Sequence, residues 1–210
     1  MTARWLTLAR RLGADERGAA LVEFALVALL FFFLFFSLID FGRLGSSYVL
    51  AEKATQIAAR TAIVRRPACA GVPDRHVRPA DPGTNPPRFG TSCRIAGTCD
   101  AAATVSCAGD AANATASEIW ARIQPLLPPD ATIGNLRFEY RFDPNLGFLG
   151  GPYTPMVTVE ITPPDFQFTS PLGAMAAGLG GGGGGLNGPA PYGAFSVSMP
   201  AEDLALGEEG

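Results

Sequence analysis

By type and setting, six side chains of this 210-residue sequence have chemistry to offer. They are Cys69, Cys93, Cys99 and Cys107, the sole histidine His76, and Glu23, an acid inside an apolar run. An even set of cysteines in a loop-rich region suits disulfides made in an oxidising compartment. Four cysteines allow three pairings, and the spacings of 24, 6 and 8 residues select none of them. Without a C-x-x-C pair, and with one histidine, a structural zinc site is only the second choice for these thiols, and no metal ligand set is expected. His76 lies in an Arg- and Pro-rich stretch with no Ser-His or Cys-His motif around it. The glycine run ending at Gly185 lacks the Lys-Ser or Lys-Thr of a phosphate-cradling loop. Asn113-Ala-Thr115 matches a glycosylation acceptor, a three-residue pattern that arises often by chance. Together these readings predict no enzyme and no cofactor, and leave binding or assembly as the work of the chain.

Glu23 is the most informative of the six. It is the one charge in Ala19–Ile39, a stretch that is apolar around its whole circumference. As an α-helix rising about 1.5 Å per residue the stretch is roughly 31 Å long, matching a hydrocarbon core of roughly 30 Å. A single transmembrane helix over 19–39 is the expectation, with membrane lipid as its first partner. A carboxylate in such a helix is costly and usually has a mate or a task. A cleaved secretory signal fits less well, because its apolar core is about 7–15 residues and a small-residue exit follows it. Here the run leads into Asp40-Phe-Gly-Arg43 and then a helical pattern. Arg4, Arg10, Arg11 and Arg17 precede the span, while Arg43, Lys53 and Arg60 follow it, so charge alone sets orientation weakly. All four cysteines follow the span, which places the N-terminus in the cytoplasm and the bulk outside.

Beyond the span, Leu44, Tyr48, Ala51, Ala54 or Thr55, Ala58 and Ala62 recur every three to four residues. The pattern extends the helix over 40–66, with Pro67 as its stop, and its small-residue stripe is a core face of a head domain or a seam for partner helices. Residues 67–110 hold six prolines and no period, so they read as a Cys-containing surface loop, stapled by disulfides or partly disordered. A short helix follows at about Ser117–Leu127, with Ile119, Ile123 and Leu126 on one side. Three strands are legible by two-residue alternation: Leu136, Phe138, Tyr140 and Phe142; Val157, Val159 and Ile161; Phe195, Val197 and Met199. Glu139 and Glu160 fall on the outward half of that alternation, as solvent-facing partners of Arg137 and Arg141. Asp143-Pro144-Asn145 supplies a turn.

The fold expected is α+β: a long N-terminal transmembrane helix continuing into a small extracytoplasmic domain with a short helix and an antiparallel sheet of about three strands. Its parts are a leader at 1–18, the span at 19–39, the extension at 40–66, the loop at 67–110, the head at 111–206 with a glycine-rich loop at 173–190, and a tail at 207–210. The extended helix is the obvious cover for the apolar face of the sheet. Sixteen Lys+Arg against nineteen Asp+Glu give a charge of -3, which excludes a nucleic-acid binder held by many phosphate contacts. Fourteen Phe exclude wholesale disorder.

The setting of Glu23 is Arg17-Gly18-Ala19-Ala20-Leu21-Val22-Glu23-Phe24, a basic leader closed by a small residue with the acid five positions beyond it. This resembles a type IV prepilin processing site. The resemblance implies that a prepilin peptidase cuts between Gly18 and Ala19, freeing an α-amine that Glu23 of a neighbouring subunit neutralises in lipid. More specifically, Arg17 through Val27 followed by Ile39-Asp-Phe-Gly-Arg43 is similar to the TadE family of pilin-like proteins of the tight-adherence (Flp pilus) system, most densely over Glu16–Ala62. Leu29 stands where that family often has a proline, and Phe195–Leu204 resembles its late strand and tail. What the resemblance implies is a minor pilin or pseudopilin in the inner membrane with a periplasmic head. Its implied partners are other pilin-like subunits, the pilus assembly machinery and the peptidase, and no catalysis is implied. The alternative from another class is an uncleaved, membrane-tethered binding module whose sheet and disulfide loop recognise a surface ligand. A tethered enzyme, the third class, has no site to name.

Overall fold

The computed structural model describes residues 18–168, 191–202 and Leu204. Most of the leader at 1–18, the glycine-rich loop at 173–190 and the tail at 207–210 lie outside the described residues. The chain is α+β: a long apolar N-terminal helix, then a domain with a short helix and an antiparallel sheet. The first helix, α1, covers Ala19–Ala62. Its residues to Leu44, with Gln167 and Phe168, fall in one compact unit, and Gly45–Phe166 with the residues from Pro191 form the other.

In the first unit the helix from Ala19 to Leu44 turns large side chains outward on all sides. Leu21, Phe24, Val27, Phe32 and Leu38 are all exposed. Phe31 stacks on Phe35 and Phe32 on Phe36, each pair with ring centroids 6.0 Å apart, as the i,i+4 spacing of a helix requires. The Ser37 hydroxyl donates to the Phe33 carbonyl at 2.7 Å, so the helix satisfies its one hydroxyl here internally. Where the apolar run ends, Asp40 is buried and accepts from Arg43 Nη1 at 3.3 Å, an i,i+3 pair.

The second unit is built around four strands, β1 (Val105–Ala108), β2 (Leu136–Arg141), β3 (Met156–Ile161) and β4 (Phe195–Pro200), in the order β1-β2-β3-β4 and all antiparallel. The registers Cys107↔Phe138, Phe138↔Val159 and Val159↔Val197 put these residues in one row across the sheet. Alternation sends Leu136, Phe138, Tyr140, Val157, Val159 and Ile161 to a single buried face. Ala51, Ala54, Ala58, Ala59 and Ala62 of α1 share that core with Ile119 and Ile123 of the second helix, α2 (Ala114–Ile123). The small-residue stripe is therefore a core face of the head. Alanines with no freedom to lose let the helix backbone approach the sheet closely.

Three boundaries differ from the sequence reading. The sheet has four strands instead of about three, because Val105–Ala108, inside the stretch read as loop, pairs with β2 at the sheet edge. Four residues alternating Val-Ser-Cys-Ala carry too short a signal to declare a strand without the partner. The helix α1 stops at Ala62, short of Pro67, and a turn with Val64 N–H donating to Thr61 O intervenes. Proline disfavours helical geometry at the residue before it, so the chain leaves the helix ahead of it. Last, α2 begins at Ala114, earlier than Ser117, because Asn113 Oδ1 accepts the Ala116 N–H at 3.0 Å and caps it. It ends at Ile123, and Pro125 sits in a 3-10 turn over Gln124–Leu126.

The Pro-rich stretch is ordered and stapled. Its backbone groups find partners across the chain: His76 N–H donates to Gly151 O at 3.0 Å, Gly150 N–H to His76 O at 2.9 Å, and Cys93 N–H to Gly147 O at 3.2 Å. Of the three pairings open to the cysteines, the structure takes Cys69–Cys107 and Cys93–Cys99. The first ties the segment after α1 to β1, and the second closes a short turn.

Candidate functional site

The residues singled out for processing sit together at the start of α1. Gly18 immediately precedes the helix, Ala19 is its first residue, and Glu23 lies one turn further on; all three are exposed. An acid one turn in, at i+4 from Ala19, shares a face with whatever group occupies position 19. A Cβ built on Gly18 meets nothing within 4 Å, so among the described residues no packing demands glycine there.

Between Glu23 and Asp40 the helix offers hydrocarbon broken only by the Ser37 hydroxyl, which is bonded within the helix. No residue of its most apolar window is buried in the fold. A soluble core helix hides such a surface, whereas a lipid-facing helix leaves it open. The helix is thus compatible with a single-pass membrane anchor. The pair of Asp40 and Arg43 closes the apolar run, an i,i+3 spacing on the same helix.

The head gathers a second group of reactive side chains that the sequence did not bring together. His76 packs on Tyr153 and Phe142, with ring centroids 5.1 and 6.1 Å away, beside the Cys93–Cys99 disulfide. Thr154 N–H donates to His76 Nε2 at 3.2 Å. His76 comes from the Pro-rich stretch and its partners from the segment after β2, so no local signal announces the cluster. Burial lowers the His76 pKa below its ordinary value near 6.5, since charging the ring there forfeits hydration. The unfolded chain therefore binds a proton before the folded one does. Stability is full above about pH 6.5 and declines as pH falls below it toward the folded-state value. Thermal unfolding followed from about pH 7.5 to about pH 5 is expected to show this decline, and His76→Gln to flatten it.

Residues 18–60 match the family model described as TadE-like protein. No curated protein and no solved structure matches the chain. The matched segment holds Gly18, Ala19 and Glu23 and runs through the apolar helix into the alanine face.

Proposed function

We propose that this chain is a minor pilin or pseudopilin of the tight-adherence system, anchored in the inner membrane with its N-terminus in the cytoplasm and its head in the periplasm. It acts by lateral packing of the apolar helix with other pilin-like subunits and the assembly machinery, and performs no catalysis. A prepilin peptidase removes the leader after Gly18, and the new α-amine at Ala19 pairs with Glu23 of a neighbour. The observation that carries this reading is the arrangement of Gly18, Ala19 and Glu23: all three are exposed at the head of the apolar run, and the single charge of that run lies one helical turn beyond Ala19. Two disulfides in the head suit a compartment that oxidises thiols.

The test is chemical. In cells holding the cognate peptidase, N-terminal sequencing and intact mass of the membrane-resident protein should give a chain beginning at Ala19. Gly18→Val should keep the leader on while leaving the helix intact, because its Cβ enters open space. A membrane-resident wild type that retains Met1–Gly18 would favour the uncleaved binding module.

A further inference from the structure

One ring nitrogen of His76 and the two Sγ atoms of Cys93 and Cys99 lie within 4.8 Å of one another. Two of the three are withdrawn from water, His76 at 2% exposed and Cys93 at 4%, while Cys99 is half-buried at the rim. Its histidine is half-satisfied. Nε2 is engaged by the Thr154 N–H and hydroxyl, both at 3.2 Å, whereas Nδ1 is buried with no hydrogen-bond partner among the described residues. A buried imidazole with one nitrogen unpartnered, its ring beside two sulfurs, offers the donor types that zinc-class ions select.

We infer that these three residues form a redox-gated site for a zinc-class divalent ion. With the disulfide closed, both sulfurs are occupied by each other and the ion has no thiolate to bind. A dithiol reductant supplies two electrons and two protons: the Cys93–Cys99 bond breaks, two thiols form, and the reductant becomes its own disulfide. The ion then takes both sulfurs as thiolates, releasing those two protons, and one imidazole nitrogen. For Nδ1 to serve as that ligand the ring proton moves to Nε2, which gives up the bond it accepts from the Thr154 N–H and donates instead to the Thr154 hydroxyl 3.2 Å away. Tetrahedral zinc with Zn–S near 2.3 Å and Zn–N near 2.0 Å needs donors roughly 3.5–3.8 Å apart. The sulfurs, bonded to each other in the disulfide, separate to that spacing once reduced, and the ring nitrogen already lies within 4.8 Å of both. The fourth position stays open to water or another donor. Metal and disulfide are thus alternative closures of the same turn, and the head can exchange one for the other.

Anaerobic cobalt(II) titration of the full chain in detergent tests this. Reductant is adjusted until alkylation and peptide mass mapping show Cys93 and Cys99 free with Cys69–Cys107 still joined. The expected result is one cobalt per chain, with the charge-transfer and visible bands of tetrahedral thiolate coordination, displaced by zinc; the oxidised chain gives none. C93S/C99S should abolish the bands, and His76→Asn should weaken binding by at least about tenfold, since losing even a group that only orients a metal ligand costs about that much. Far-UV circular dichroism confirms that each variant remains folded. Binding that is equal in oxidised and reduced chains, bands that survive in C93S/C99S, or a mapped reduced chain that takes up no cobalt would each overturn the site.

Discussion

Glu23→Gln is expected to leave the chain inserted and its head folded while reducing incorporation into pilus assemblies to background. Glutamine preserves the size and the hydrogen-bonding capacity of the side chain and removes only the charge. Removing a charge from a lipid-facing run makes insertion easier, so failure to insert is not a route to the phenotype. The head has its own core, with none of it contributed by position 23. What is lost is the attraction for a cationic mate in a medium of low dielectric, where a lone α-amine is costly. Co-purification and site-specific crosslinking of helix neighbours, alongside counts of surface pili, read this out. Incorporation of the glutamine variant at the wild-type level would refute pairing through Glu23 and support the tethered binding module. Glu23→Asp, which keeps the charge on a shorter stem, should retain part of the assembly.

The second large effect lies in the head. Removing the Cys69–Cys107 bond, as C69S/C107S, is expected to cost roughly 4 kcal/mol by the loop-closure estimate for a separation of 38 residues. The same estimate gives roughly 2 kcal/mol for Cys93–Cys99 with its separation of 6. The longer closure restricts more of the unfolded ensemble. Its position adds to the contrast: Cys69 is 4% exposed within the core, and Cys107 stands in the edge strand opposite Phe138. A serine pair there also places hydroxyls among apolar neighbours. Since a domain's whole stability is about 5–15 kcal/mol, the variant should unfold at far lower denaturant or fail to accumulate. Urea unfolding of the two serine pairs side by side checks the ranking, and equal midpoints would contradict it.

How far such statements could be reached without coordinates depended on whether the signal was local. Ala19–Ile39 is legible because it is apolar around the whole helix with a single charge, and β2, β3 and β4 because half-burial forces a two-residue period. The alanine stripe is equally plain, though its spacing alone left a core face and a partner seam both open. Legibility ended where a residue's role was set by chain far away. The edge strand β1 is a strand because β2 supplies its hydrogen bonds. The pairing of the cysteines follows from packing, not spacing. Asn113-Ala-Thr115 shows a subtler failure: its letters matched a modification signal, yet in the fold Asn113 caps α2 and the Thr115 hydroxyl donates to Arg66 O at 2.8 Å. Likewise His76 reads as a stray loop histidine until Tyr153, Thr154 and two sulfurs close around it.

The continuity of α1 also bears on release from the cell envelope. Ala51, Ala54, Ala58 and Ala62 form one wall of the globular portion, so a fragment cut just before Pro67 would lay Phe138 and Val159 bare and precipitate. A workable soluble fragment has to start near Gly45, where the second unit begins. Endogenous proteases meet the same difficulty: the junction they would have to sever is hydrogen-bonded helix, not an extended linker they can thread. Shedding of the globular portion by proteolysis within that helix is thereby disfavoured.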